Sequence, residues 1–237
     1  VESDARRIAR TNAMRVAPTL FLEILSENFK KEKTYISKPA LRSASQKNKV
    51  KSKRSVSGGC KFQFNWEGAA ATLLRHALGS NNTTGIGPYT HTITPAGSLP
   101  TGLTFHVNRD SDGLGGSNAW EYEGCNIQKV TLSQEIEDFL MVDLEVLGED
   151  SRNLAKATPT FTAFDGVDWE QLTISRIDVA GTPINPNVKS LELTIENSLA
   201  DDRYKLGTDL RTGLGRSGHR KVTGKFELEL ETAGKSA

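Results

Sequence analysis

The chain lacks the feature that would most simply mark a membrane protein. Its longest clear apolar run, Phe139-Leu140-Met141-Val142, falls far short of the ~20 residues a spanning helix needs. No secretory signal is expected at the start either, because Pro18, Thr19 and Glu23 interrupt the apolar stretch after Arg15. Cysteine is scarce. Cys60 and Cys125 are too few for a disulfide scaffold and point to folding in a reducing cytoplasm. Net charge is almost absent, with 30 Lys and Arg against 29 Asp and Glu, so no global imbalance points to nucleic acid as a partner. The four histidines, His76, His91, His106 and His219, include no pair at metal-ligand spacing. The chain has no G-x-S-x-G, no P-loop and no H-E-x-x-H, so nothing in it points to catalysis, a cofactor or a metal. What remains is 237 residues, 36% hydrophobic and 25% charged, enough for a real core in one large domain or two small ones.

The near-zero total conceals segregation. Lys30 to Arg54 holds ten basic residues and one acid, Glu32, whereas Glu121 to Asp150 holds nine acids and one base, Lys129. The basic stretch is rich in Ser, Asn and Gln and reads as a long exposed connection, over 30–55. It is either a surface that meets an acidic one on another copy or a solvated loop. Further loops are expected over 80–102, 110–118 and 199–218, where Gly, Pro, Asn and Asp cluster.

Between them the dominant period is two. Cys60, Phe62, Phe64 and Trp66 alternate with polar residues, as do Leu140, Val142, Leu144 and Val146. The same holds for Leu191, Leu193 and Ile195 and for Phe226, Leu228 and Leu230. Further strands are expected at 19–26, 104–108, 125–132 and 172–179. One helix is expected at 69–79, where alanines and leucines lead to Gly79 as a left-handed cap. Many strands, one helix and no βαβ rhythm predict a mainly β fold, an antiparallel sandwich or barrel with a flanking α-helix.

The polar faces of the C-terminal strands carry Asp143, Glu145, Glu192, Glu196, Glu227, Glu229 and Glu231, with Lys225 as the base among them. Paired side by side, these strands would present an acidic face to water, kept for function or as a solubilising surface. Two motifs carry less than they promise. Gly213-Leu214-Gly215-Arg216-Ser217-Gly218 matches G-x-G-x-x-G, but a strand pattern follows it where a nucleotide site needs a helix N-terminus. Asp110-Ser111-Asp112-Gly113 starts like a calcium loop and then loses the ligand spacing.

An ordered series of segments carries a resemblance. The basic connection leads into Val56-Ser57-Gly58-Gly59-Cys60-Lys61-Phe62 and then the helix with its Leu78-Gly79 end. Tyr89-Thr90-His91-Thr92-Ile93, Leu103-Thr104-Phe105, Tyr122-Glu123-Gly124-Cys125 and Asp143–Gly148 follow. Ser190–Asn197, Gly215-Arg216 and Val222-Thr223-Gly224-Lys225-Phe226 complete the order. The set resembles the tail tube protein of long-tailed, siphophage-like bacteriophages over about residues 16–232.

The resemblance implies one tail-tube domain over 1–237, with an N-terminal arm at 1–17 and long loops that reach the neighbouring ring. It implies a non-enzymatic virion protein, assembled in the host cytoplasm, whose hexameric rings stack around the tape measure protein. Tail terminator and baseplate or distal tail proteins join its ends, and DNA passes through without a specific site. The chain ends soon after Glu231, so no decorating C-terminal domain is expected. On this reading Asp143, Glu145, Glu192, Glu196, Glu227 and Glu229 line the lumen, and Lys47, Lys49, Lys51, Lys53 and Arg54 meet an adjacent subunit or ring. The inner tube of a contractile machine and a carbohydrate-binding β-sandwich are the alternatives, the latter requiring an exposed platform built from Trp66, Trp120 or Trp169.

Overall fold

One long strand organises the molecule. In the computed structural model, which describes residues 18–38, 48–65, 69–87, 89–109, 119–154, 156–161, 166–172, 176–177, 183–184 and 187–229, thirteen strands and one helix follow in chain order. They are β1 (Ser26–Glu27), β2 (Lys30–Lys38), β3 (Asn48–Gln63), α1 (Ala69–Leu78), β4 (Gly79–Thr84), β5 (Thr90–Pro95), β6 (Leu103–Asn108) and β7 (Ala119–Glu135). Then come β8 (Met141–Gly148), β9 (Asp150–Leu154), β10 (Arg176–Ile177), β11 (Pro183–Ile184), β12 (Asn187–Glu196) and β13 (Lys221–Glu229). The first half of β7 pairs with β6 and β9, and its second half pairs with β8 and β12. Gly124, at φ 62°, stands where β7 exchanges one pair of partners for the other, a turn of backbone that glycine alone makes without strain.

The main sheet runs β1-β3-β8-β7-β12-β13, with β2 beside β3, and every pairing is antiparallel. One face of these strands is apolar and buried. Val56, Cys60 and Phe62 of β3, Val142, Leu144 and Val146 of β8, and Tyr122, Cys125, Ile127 and Val130 of β7 form the core with Phe29 and Val107. The helix closes it through Ala70, Leu73 and Ala77. It is mainly β with one flanking helix, as the period-two pattern predicts.

Close approach is built into the sequence at Gly58-Gly59. A Cβ on Gly59 would lie 1.6 Å from the Leu144 carbonyl oxygen, and Gly58 (φ 136°) packs its backbone against Phe29. Asn28 completes the contact, its side-chain oxygen accepting from the Gly59 N–H at 2.7 Å.

Three sequence expectations need correction. The segment 30–55 is chiefly a β-hairpin, not a loop: β2 and β3 pair from Lys30 opposite Ser57 to Lys38 opposite Asn48. On β3, Lys49, Lys51 and Lys53 alternate with Val50 and Ser52, which suits a ribbon guarded by charge at the margin of the sheet. The stretch 80–102 likewise contains the β4–β5 ribbon. Conversely, 18–25 forms no strand, and strand pairing starts only at Ser26. Of the strand expected at 172–179, Arg176–Ile177 is a strand, and 173–175 and 178–179 lie outside the described residues. The third expected loop, 110–118, and Trp66 lie outside the described residues.

Candidate assembly surfaces

The solvent face of the main sheet follows from its register. Directly opposed residues share a face, so Glu145, Lys129, Glu196 and Lys221 form one transverse row across β8, β7, β12 and β13. A second row reads Lys61, Asp143, Thr131, Thr194 and Thr223. A third places Glu192 beside Lys225 and Ser133, and Glu227 stands opposite Ser190. The six carboxylates singled out in the sequence therefore come together on one face.

Their setting is less one-sided than three strands in isolation predict. Lys61 and Lys129 enter on β3 and β7, and Lys221 enters because β13 begins earlier than the apolar alternation starts. Lys129 pairs with Glu145, and its ammonium is held above the usual lysine range by that hydrogen bond. Lys225 reaches Glu192 at 3.1 Å and Lys189 lies 3.7 Å from Glu229. Asp143, Glu196 and Glu227 are in no such pair among the described contacts. The face is acidic in excess, threaded with lysines and a threonine row.

The other face of β13 is the unexpected one. All nine residues of this strand are exposed, and Val222, Phe226 and Leu228 are 57%, 53% and 49% accessible. The alternation Phe226-Leu228 reads as half-buried, yet the core ends under β12, where Ile195 is buried. Among the described residues β13 is also the last strand of its sheet, and no described strand pairs with its outer row of backbone groups.

At the opposite edge, the predicted basic residues divide. Arg54 is engaged inside the chain: its guanidinium reaches Asp209 at 2.7 Å and Asp150 at 3.4 Å. Its carbonyl accepts from Tyr204 Oη at 2.9 Å. The Arg54–Asp209 hydrogen bond holds the Asp209 carboxyl below the usual carboxylate range. Lys53 lies over the Tyr204 ring, 4.7 Å from its centroid. These contacts tie the base of the β2–β3 hairpin to the 199–218 connection. Lys51 is exposed on β3, with Tyr35 opposite it. Lys49 lies two positions further out, its side chain outside the described set, and Lys47 lies outside the described residues.

Sequence reasoning missed the buried ionic links that shape these surfaces. Arg109 donates to both oxygens of Glu27 at 2.7 and 2.8 Å and to the Phe29 carbonyl at 2.7 Å. That fork holds the Glu27 carboxyl below its ordinary range. Arg152 contacts Glu121 at 2.7 Å and Glu123 at 3.0 Å. Burial raises the Glu123 pKa against the opposing pull of Arg152. No spacing rule links these partners, which lie 29 to 82 positions apart. Burial also pushes the Cys60 thiol up to about 12 and the Cys125 thiol higher still, so neither is a reactive nucleophile.

Among the described residues, no group of three His, Cys, Asp or Glu is arranged to hold a metal ion, and no helix is long and apolar enough to cross a membrane. Trp169 is exposed, whereas Trp120 packs against the core, so the described tryptophans form no aromatic platform. In comparison with known proteins, a family model described as Phage tail tube protein matches residues 7–234. No curated protein matches the chain.

Proposed function

The chain belongs to the phage tail tube protein family, and on that premise we propose that it forms hexameric rings stacked into the tail tube of a long-tailed, siphophage-like phage. Its role is structural, as a component of the virion that assembles with copies of itself and with other tail proteins. The tube surrounds the tape measure protein, is closed by terminator and distal tail proteins, and later conducts DNA at ejection.

One observation carries the self-assembly: β13 is exposed along its whole length, with Val222, Phe226 and Leu228 on one face and an outer edge that no other described strand covers. A protein that worked as a monomer would pay stability and solubility for such an edge. In a closed ring each copy covers the edge of the next, and rotational symmetry leaves none unpaired.

The acidic face then lines the lumen. Phosphate affinity accumulates with every cation that contacts the backbone, so a conduit works best with carboxylates in excess. Asp143, Glu145, Glu192, Glu196, Glu227 and Glu229 supply that excess, and lysines paired with them are withheld from phosphate. At the other edge, Lys47, Lys49 and Lys51 meet acidic surface on an adjacent subunit or ring, while Lys53 and Arg54 brace the hairpin that carries them.

The test is assembly of a Phe226→Lys, Leu228→Lys variant, followed by sedimentation and negative-stain microscopy. Both side chains are about half exposed, so the isolated fold should persist. Loss of tubes with a folded monomer is the expected result. Tubes of wild-type length and yield would overturn the assignment of this edge.

A further inference from the structure

The main sheet is extended at one end by a basic hairpin and finished at the other by an acidic turn. β3 pairs with β8 from Val56 opposite Gly148 to Gln63 opposite Met141. Residues 48–55 of β3 therefore run on past the Gly148 end, with β2 beside them. At about 3.3 Å per residue this overhang is about 25 Å long. Residues 34–38 and 48–54 hold five bases and no acid. Lys51 is exposed opposite Tyr35, and one position further out Val50 is exposed opposite Ile36.

The other end is built on the β7–β8 turn. Gln134 Nε2 donates to the Asp138 carbonyl at 2.9 Å, and Glu137 takes φ 64°, a left-handed position typical of turns. Residues 166–171 lie against this turn. The Leu140 N–H donates to the Val167 carbonyl at 2.8 Å, and Phe139 and Asp168 form an antiparallel bridge. Asp168 Oδ1 accepts from the Glu170 and Gln171 N–H groups at 3.0 Å. Residues 133–142 and 166–172 hold five acids and no base. Glu135, Glu137, Asp138 and Glu170 are exposed, and so are Ile136 and Trp169. None of the five carboxylates joins an ion pair among the described residues.

We propose that the overhanging β2–β3 hairpin of one copy docks on this acidic turn of a second copy, end to end along the strands. The inference rests on the tube-forming reading and names the acidic surface that its hairpin lysines meet. Other acidic surfaces fit less well. On the sheet face, Glu145, Glu192 and Glu229 already have lysines. Asp150 is taken up by Lys31 and Arg54. Asp201 and Asp202 belong to the connection whose Arg211 donates to the Gly148 carbonyl, at the hairpin's own end. A contact there would be two-fold and would close a dimer rather than continue a stack. The β7–β8 turn lies at the opposite end, so each copy offers its hairpin to one neighbour and its turn to another, a contact that repeats without closing on itself. Opposite charge decides which end meets which, and the exposed Tyr35, Ile36 and Val50 gain cover beside Ile136 and Trp169.

The test uses the full-length chain. Lys49→Glu with Lys51→Glu, Glu137→Lys with Glu170→Lys, and all four together are assayed for assembly by sedimentation and microscopy, with thermal unfolding as the folding control. Each reversed pair should raise the critical concentration for assembly about tenfold or more. The quadruple variant should return it to within about threefold of wild type, because its charges are again opposed. In a second arm, independent of those variants, p-benzoylphenylalanine replaces the exposed Tyr35 and assembled protein is irradiated. Adducts on residues 135–139 or 168–170 of another chain support the contact. Reversed pairs that assemble like wild type, a quadruple variant no better than either pair, or adducts confined to other segments overturn it, while tubes that still form leave the tube reading standing. Wild-type protein that stays monomeric at every concentration would sink the tube reading and this contact together.

Discussion

Single side chains decide where charge is available for assembly and where it is locked inside the subunit. Glu27 shows the second case: Arg109 grips both of its oxygens, and the carboxylate is four-fifths buried. Because its pKa in the folded state is depressed, its stabilisation is fully present above the unfolded carboxylate value near pH ~4.3 and is lost as pH falls through the lower folded value. Glu27→Gln should therefore cost about 1–2 kcal/mol at pH 7, measured by urea denaturation, with the gap from wild type narrowing at pH 3. A gap independent of pH would show that the fork acts through packing alone. Arg54 makes the same point from the basic side. Its charge pattern reads as part of an exposed run, but Asp209 and Asp150 take it up, and neither partner lies within reach of a local sequence rule.

Elements show what periodicity reveals and what it hides. The helix, β6, β8, β12 and the buried half of β3 are all legible, because each buries one face and the buried face dictates the spacing. The β2–β3 hairpin was not, since its outer part buries neither face and its lysines look like a solvated loop. The six carboxylates share a face as parity predicts, whereas the lysines among them became visible only with the register of β3 and β7. One buried side chain couples three elements. Asn197, fully buried, donates to the carbonyls of Ala77 and Ile127 at 2.8 and 3.0 Å and accepts from Arg220 at 2.8 Å. Arg220 in turn reaches the Leu78 carbonyl at 2.8 Å. Together they satisfy the orphan acceptors at the end of α1 and set a cation against its dipole. Asn197→Ala should lower stability by about 2–3 kcal/mol. Ser198→Ala, next to it but only half-buried and with its hydroxyl bonded to the His219 carbonyl near the surface, should change it by less than about 0.5 kcal/mol. Equal denaturation midpoints for the two variants would refute the capping role.

The whole molecule is a sheet with one finished side and two unfinished margins. β8 and β7 lie over the core, and the sheet then continues past it to β13, which no other part of the described chain covers. At the far margin, the outer half of the β2–β3 hairpin leaves Tyr35, Ile36 and Val50 exposed at 56%, 53% and 55%. Such margins cost a solitary domain and suit a wall unit, whose neighbours supply the missing layers. The most direct measurement is an electron cryo-microscopy reconstruction of the assembled protein, with the subunit fitted into the density. The account predicts a hollow tube in which β13 abuts a neighbouring copy and Glu145, Glu192, Glu196 and Glu227 face the channel. Density that turns those carboxylates to the outer surface, or leaves β13 open to solvent, would contradict it.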